Sequence, residues 1–234
     1  MSTSPPENEQ ETPTMRSMTG PDVERAAAEA VSALAPHTGL DWQVPAGSLD
    51  WSCWTTAAHI AHDLTAYAAQ VASRAPSAYL PLDLRVRPGT PPAEVLTVVS
   101  ASARLLRAAI TAADPGDRAW HWGPCDPGGF AAMGVAELLL HTYDIAQGLA
   151  LPWRPPPGLC APVLARLFPD SPQGPPTEAL LWSAGRLSLP DRPAAPHGPG
   201  RRLSRSPRPC EKTPATSNGG LTSRGGARIR TWVG

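Results

Sequence analysis

The sequence predicts an all-α fold built on a four-helix bundle. Four segments of about 13 to 23 residues repeat apolar side chains at helical spacing, and Pro- and Gly-rich stretches separate them. No segment shows the apolar–polar alternation that is typical of a half-buried strand. Helices that each carry an apolar stripe bury it best against one another, which favours a bundle.

The first two predicted helices are rich in alanine. The first begins near Pro21 and continues to Ala35, and the second spans residues 54–74. The apolar stripe of the second helix consists of Ile60, Leu64, Tyr67 and Val71. Small residues beside such a stripe let a neighbouring helix approach closely, so both segments are expected to pack in the bundle.

The third and fourth predicted helices complete the bundle. The third covers residues 92–114 and stops at Pro115, where proline ends the helical pattern. The fourth runs from Phe130 to Leu149 and is apolar nearly all round, which predicts a central position. The aromatic loop between them, residues 115–129, is expected to rim a pocket or to cover one end of the core.

Composition divides the chain into four parts. Residues 21–152 form the predicted bundle, and residues 153–193, with two short helical patterns, form an appendage packed on it. Residues 1–20 are polar and residues 194–234 are rich in Pro, Gly and Arg, so both are predicted to be disordered. The net charge is zero overall but +7 over residues 197–234, and an acidic body does not suggest a nucleic-acid-binding domain.

The cysteines and the N-terminus bear on location. Four scattered cysteines form no CxxC pair, so neither a zinc ribbon nor a dense disulfide framework is indicated. The N-terminus has no apolar core of a signal peptide, and no run of 18 apolar residues occurs. We therefore expect a cytoplasmic protein with neither a membrane nor a nucleic acid as its partner.

Three polar residues interrupt the apolar fourth helix, in the stretch "GVAELLLHTYDIAQG". Glu137 and His141 lie one helical turn apart, so a carboxylate oxygen and an imidazole nitrogen can converge on one ion. Asp144 lies on the same face. Because buried ionisable groups need partners or a metal, this face is a candidate metal site.

A third ligand is expected from the second helix, where "AAHIAHD" supplies His59 and His62. Bundle metal sites are built from side chains on facing helices, and three protein ligands leave one position open for water or substrate. His59 lies about 100° and His62 about 160° from Ile60 around the helix axis. Periodicity alone does not choose between the two histidines.

Three segments together resemble one protein family. "CWTTAAHIAHDL" is similar to a "C..WT..D...H" segment, and "GVAELLLHTYDIAQGL" is similar to an "E...H..D.....G" segment, of the mycothiol-dependent maleylpyruvate isomerase family in the DinB-like superfamily. The later "FPDSPQGPPTEALLWSAGRLSLP" resembles the C-terminal part of such proteins. The resemblance covers about residues 20–193.

The resemblance implies a DinB-like four-helix bundle that holds a divalent metal, most often zinc. It implies His62, Glu137 and His141 as the ligands, because His62 stands eight residues after Trp54 as the family's histidine does. His59 remains the alternative. Asp144 matches the family's aspartate and is expected to support a ligand or to bind the polar head of the thiol cofactor.

These expectations lead to one hypothesis about the function of the protein and to two alternatives. The resemblance implies an enzyme that uses mycothiol, a low-molecular-weight thiol, to isomerise a small electrophile or to transfer sulfur to it. One rival is a non-catalytic bundle that binds a small molecule or a partner protein. The other is a metal-dependent hydrolase that uses water in the open position. The residues assign no catalytic acid or base.

Overall fold

The computed structural model describes residues 17–189, and this part of the chain is all-α as predicted. Its α-helices are α1 Gly20–Leu34, α2 Cys53–Ser73, α3 Pro92–Ala112, α4 Pro127–Gly148, α5 Pro157–Leu167 and α6 Pro176–Ser183. One 3₁₀ turn, Ala35–His37, extends α1. The predicted disordered segments lie outside the described residues, except for residues 17–20 at the start.

Helices α1 to α4 form the bundle, with α4 at its centre. Helix α2 packs along α3, and α1 packs against both α3 and α4. Helix α4 also contacts α2, and its side chains are buried without a break from Gly129 to Ala146. Burial on every side is what its nearly continuous apolar sequence predicts. A polar side chain on α4 between Gly129 and Ala146 is therefore buried against the rest of the protein.

Capping residues fix the starts of the helices that carry the site. Ser52 accepts a hydrogen bond from the backbone N–H of Thr55 at the start of α2. Asp126 accepts one from Gly129 N at 2.6 Å at the start of α4. Such caps satisfy N–H groups that have no partner within the helix. Because Asp126 caps the helix and Pro127 fits its first position, α4 begins three residues before the predicted Phe130.

Close packing in the bundle depends on glycine at two positions of α4. A Cβ atom on Gly134 would lie 2.6 Å from Leu106 Cδ2 on α3. A Cβ atom on Gly148 would collide with the backbone carbonyl oxygen of Pro45 and lie 2.7 Å from Cys53 Sγ. The segment before α2 therefore lies directly against the end of α4, and this contact sets the position of α2 beside the polar face.

A short β-hairpin lies in the loop between α3 and α4. Its strands are β1 Ala119–Trp120 and β2 Pro124–Cys125, which pair antiparallel. Two-residue strands are too short to show an alternating pattern, so the sequence predicted only an aromatic loop. Trp122 at the turn has a φ of 58°, in the left-handed region that non-glycine residues rarely adopt.

The C-terminal helices pack on the bundle through α4. Helix α5 contacts α4, and α6 contacts α5. Arg166 of α5 also bonds both carboxylate oxygens of Asp126 at 3.0 Å. The division of the chain at residue 152 stays a prediction.

Helix α3 is strongly apolar along its length. Among the described residues it is the one helix that is long and apolar enough to cross a membrane, by length and composition alone. Its buried face includes Val95, Val99 and Leu106, and it packs against α1 and α2. This buried stripe accounts for part of its apolar character, and most other positions of the helix are exposed or half-buried.

Candidate metal site

Helix α4 brings Glu137 and His141 together on its inward face. Their spacing of four residues places the side chains one above the other, and His141 Nε2 lies 3.1 Å from Glu137 Oε2. Both residues are more than nine-tenths buried. The two predicted ligands of α4 therefore point at the same small volume.

Asp144 fixes the orientation of the His141 ring. Its Oδ2 lies 3.1 Å from His141 Nδ1, on the opposite edge of the ring from Glu137. An ionised carboxylate only accepts hydrogen bonds, so Nδ1 donates and Nε2 is directed toward Glu137. A carboxylate behind a histidine is the usual support of a metal-binding imidazole.

Helix α2 supplies the third group through His59. His59 Nε2 lies 3.9 Å from Glu137 Oε2, and the His59 and His141 rings are 5.0 Å apart between centroids. One potential ligand atom from each of His59, Glu137 and His141 lies within 4.8 Å of the others, and this is the group in the described residues that could hold a metal ion.

His62 lies beside this group but is directed elsewhere. Its Nδ1 is 3.2 Å from the carbonyl oxygen of Leu84 and 3.4 Å from Asp83 Oδ1, both in the loop before α3. Its ring stacks 6.5 Å from that of His59. The structure thus brings His59, and not the predicted His62, to Glu137 and His141. The role of His62 as a ligand stays a prediction.

Electrostatics hold Glu137 ionised and His141 protonated in the metal-free site. Burial raises the pKa of Glu137, but its hydrogen bond to His141 and the charge of His141 outweigh burial and bring the pKa to about 2. Burial lowers the pKa of His141, but hydrogen bonds to Asp144 and Glu137 raise it to about 9. A proton on His141 Nε2 therefore stands where a cation would be held.

His59 differs from His141 in its charge state. Burial, together with the nearby charge of His141, lowers the pKa of His59 to about 4. His59 is therefore neutral at pH 7, the form in which imidazole binds a metal. A neutral His59 beside an ionised Glu137 presents two lone pairs to one point.

Further side chains enclose these three residues. Tyr67 of α2 donates a hydrogen bond to Glu137 Oε1 at 3.4 Å, on the carboxylate oxygen that does not face His141. Asp63 Oδ2 lies 3.4 Å from His59 Nε2, and burial with the charge of Glu137 raises the pKa of Asp63 well above its usual value. The Trp51 ring lies edge-on to His59, with 4.7 Å between centroids, and covers one side of the site.

The aromatic loop approaches the same region from the hairpin. The His121 ring lies 5.6 Å from the Tyr67 ring and 6.1 Å from the Phe130 ring, and its Nδ1 is 3.3 Å from the Tyr79 hydroxyl. Burial lowers the pKa of His121 to about 4. The hairpin thus adds a neutral aromatic wall behind Tyr67.

Sequence reasoning did not place Trp51, Asp63 or Tyr67 at the site, and it also missed Arg186. Its Nη2 bonds Asp144 Oδ2 at 2.9 Å and its Nε bonds Asp144 Oδ1 at 3.2 Å. Burial raises the pKa of Asp144, but the bond to His141 and the charge of Arg186 outweigh it, so the pKa lies below its usual value. The only signal for Arg186 was the "GR" in the segment that carried the family resemblance.

Comparison with known families identifies the helical domain that carries the site. Residues 22–146, more than half of the chain, match the mycothiol maleylpyruvate isomerase N-terminal domain. This chain belongs to that family. The mycothiol maleylpyruvate isomerase family has a DinB-like helical domain, and the bundle of α1 to α4 agrees with it. No curated protein and no solved structure matches the chain.

The residues that match the family domain include the candidate metal ligands but not Arg186. His59, Glu137, His141 and Asp144 fall within residues 22–146 of the mycothiol maleylpyruvate isomerase domain, whereas Arg186 follows it by forty residues. A tetrahedral ion with bonds of about 2.0–2.1 Å separates its ligand atoms by about 3.3 Å. The separations around Glu137 Oε2 are 3.1 and 3.9 Å, and all three donor atoms lie within 4.8 Å of one another, so these donors could hold a small divalent cation once the side chains draw closer.

Proposed function

We propose that this protein is a metal-dependent enzyme that uses mycothiol to isomerise a small electrophile or to form a sulfur conjugate with it. The observation that carries the proposal is the convergence of His59, Glu137 and His141 inside a domain of the mycothiol maleylpyruvate isomerase family. The proposed ligands of the ion are these three residues. Zinc suits two imidazole nitrogens and one carboxylate oxygen, and three protein ligands leave a fourth position open.

When bound, such an ion keeps a thiol sulfur ionised at neutral pH, so that the sulfur can attack an electrophilic carbon. The residues of the chain have supporting roles in this proposal. Asp144 holds the proton on His141 Nδ1 and keeps Nε2 toward the ion. Tyr67 keeps Glu137 Oε2 on the same side by occupying Oε1. Trp51 packs edge-on against the His59 ring and helps to hold it in place.

Two cysteines of the described residues support an external source of sulfur. Cys53 and Cys160 are buried and not disulfide-bonded, and burial raises the pKa of each thiol to about 11. Thiols with such a pKa are almost fully protonated at pH 7 and are poor nucleophiles. A nucleophile supplied by a small thiol agrees with the name of the family.

The remaining parts of the proposal concern partners and location. The two reactants are mycothiol and a small electrophile, with maleylpyruvate as the first candidate that the family name supplies. A cytoplasmic location belongs to the proposal, because small thiols are kept reduced there.

The decisive experiment compares two alanine variants three residues apart on α2. Metal content of the purified protein and turnover of maleylpyruvate with mycothiol are measured for wild type, His59→Ala and His62→Ala. We expect His59→Ala to lose bound zinc and turnover, and His62→Ala to retain the metal. The reverse result would restore His62 as the ligand. His141→Ala removes a proposed ligand whether His59 or His62 is the third one, so it shows the metal content expected when one ligand is lost.

Two results would contradict the proposed function. A wild-type protein that binds no divalent ion, folds normally and does not react with thiols would favour a non-catalytic bundle. Turnover that proceeds equally without thiol would point to a hydrolase. Mass spectrometry of the product separates the two proposed reactions, because an isomerase releases the thiol unchanged and a transferase leaves it in the product.

A further inference from the structure

We infer that Arg186, which lies beyond the family domain, is a positioning residue for the metal site. It acts through Asp144 and His141, so the C-terminal helices are a working part of the site. The inference rests on the proposed metal-dependent function but concerns residues of this chain alone.

The end of α6 directs Arg186 toward the bundle. Gly185 has a φ of 76°, and its N–H bonds the carbonyl oxygen of Trp182 at 2.9 Å. The N–H of Arg186 bonds the carbonyl oxygen of Leu181 at 2.7 Å. These two bonds and the left-handed glycine form a Schellman motif, which reverses the chain at a helix end. The reversal fixes the backbone from which the Arg186 side chain enters.

The guanidinium of Arg186 is engaged on both sides. Nε and Nη2 bond the two oxygens of Asp144, and Nη1 donates to the carbonyl oxygen of Ala184 at 2.8 Å. The side chain of Arg186 is only 14% exposed, and that of Asp144 is 2% exposed. A two-point arginine–carboxylate contact fixes direction as well as charge, which a lysine in its place cannot do. Three of its five N–H donors are therefore committed to the protein.

The bonds from Arg186 lead directly to a proposed ligand. Asp144 Oδ2 accepts both from Arg186 Nη2 and from His141 Nδ1, so one oxygen joins the two residues. Without the arginine, the Asp144 carboxylate can rotate about its side-chain bond, because the other hydrogen bond described for it is the one from His141. Rotation releases Nδ1 and with it the direction of Nε2. Arg186 thus restrains the ring through one intermediate side chain.

A matched arginine on the same C-terminal helices supplies the control. Arg166 of α5 also bonds both oxygens of an aspartate on α4, but that aspartate is Asp126 at the helix start. Asp126 stands eleven residues before Glu137, or about 16 Å along the helix. Both arginines tie the appendage to α4, and only Arg186 does so next to a proposed ligand.

The test measures zinc affinity by competition with a chromogenic chelator for wild type, Arg186→Met, Arg186→Lys and Arg166→Met. Loss of a supporting contact behind a ligand typically costs 10- to 100-fold in metal affinity. We expect that loss in Arg186→Met, a smaller loss in Arg186→Lys, and less than a twofold change in Arg166→Met. Equal effects of Arg186→Met and Arg166→Met, or no effect of either, would overturn the inference.

A second readout does not depend on metal. In the metal-free protein at pH 7, the His141 Nδ1 proton should give a slowly exchanging nuclear magnetic resonance signal, which Arg186→Met abolishes and Arg166→Met preserves. If wild type binds no zinc, the proposed function fails while this comparison still decides the role of Arg186. Persistence of the signal in Arg186→Met would overturn the inference. An increased KM for substrate with unchanged zinc affinity would also overturn it, since Arg186 would then contact substrate directly.

Discussion

The raised pKa of His141 makes the stability of the metal-free protein depend on pH. Its folded pKa is about 9 against an ordinary value of 6.5, because hydrogen bonds to Asp144 and Glu137 outweigh the effect of burial. A group whose pKa is raised by folding stabilises the protein fully below its unfolded pKa, and this contribution is lost as pH rises through the folded pKa. We therefore expect the free energy of unfolding to fall above pH 6.5.

The size of the effect follows from the pKa shift. A shift of about 2.5 pH units corresponds to roughly 3 kcal/mol, at about 1.4 kcal/mol per unit. Of this, about 2 kcal/mol should be lost between pH 6.5 and pH 8.5, since the folded site still holds part of its proton at pH 8.5. A loss of this size is a large share of the stability of an ordinary domain.

Few other groups with a shifted pKa change the stability between pH 6.5 and pH 8.5. The pKa values of His59 and His121 are lowered to about 4, so their stabilisation is lost only as pH falls below 6.5. The raised pKa values of Cys53 and Cys160 reduce stability only as their unfolded thiols ionise, near pH 8.5 and above. Asp63 acts in the same direction as His141, because its pKa is also raised.

The assay is urea unfolding with a chelator present, at half-unit steps from pH 6.5 to pH 8.5. It compares wild type with His141→Gln, each also in an Asp63→Asn background that removes the second titrating group. Wild type should lose about 2 kcal/mol and His141→Gln should stay nearly flat. Saturating zinc should abolish the decline, because the ion replaces the proton. An unchanged free energy of unfolding for metal-free wild type across this range would refute the reasoning.

Three further predictions concern the site and its framework. Tyr67→Phe removes the hydrogen bond to Glu137 Oε1, so zinc affinity in a chelator competition should fall about 10-fold while the unfolding midpoint changes little; unchanged affinity would mean that Glu137 needs no such support. Gly148→Ala should destabilise the protein by about 1–3 kcal/mol in urea unfolding, because its Cβ meets the carbonyl oxygen of Pro45, whereas Gly158→Ala, with no atom within 4 Å, should be tolerated; equal midpoints would contradict the close packing. When free zinc is present at 100 times its Kd, its removal should lower the free energy of unfolding by about 2.7 kcal/mol, as measured by calorimetry. An unchanged free energy of unfolding would show that the folded state does not bind the ion preferentially.

Much of the fold could be predicted because each helix has local signals. Apolar periodicity located α1 to α4, and the apolar run around Glu137 predicted a central α4. The hairpin could not be predicted, because Ala119–Trp120 and Pro124–Cys125 are too short for a pattern and depend on contacts with α2. Local propensity sets helices, whereas such a short hairpin depends on tertiary packing.

The site could be predicted on α4 but less well elsewhere. Glu137, His141 and Asp144 lie on one helix, so a spacing of four and three residues is enough to bring them together. Arg186 is 42 residues from Asp144 in the chain, and no spacing rule connects them. Its approach depends on the packing of α5 and α6, which is a tertiary property. Contacts within one helix are thus readable from sequence, and contacts between distant segments are not.

Two spacings in the sequence of α2 lead to different choices between His59 and His62 as the third ligand. Counting from Trp54 favours His62, because that spacing comes from the resemblance to other proteins. Counting along the helix gives another result, since His59, Asp63 and Tyr67 follow one another at intervals of four residues and form a polar row. The polar row of α4 needs a polar partner on the facing helix, because an apolar surface there would leave Glu137 Oε1, the oxygen turned away from His141, without a hydrogen-bond donor. In the structure His59 and Tyr67 both approach Glu137, so the intervals of four identify the facing side of α2 better than distance from a tryptophan does.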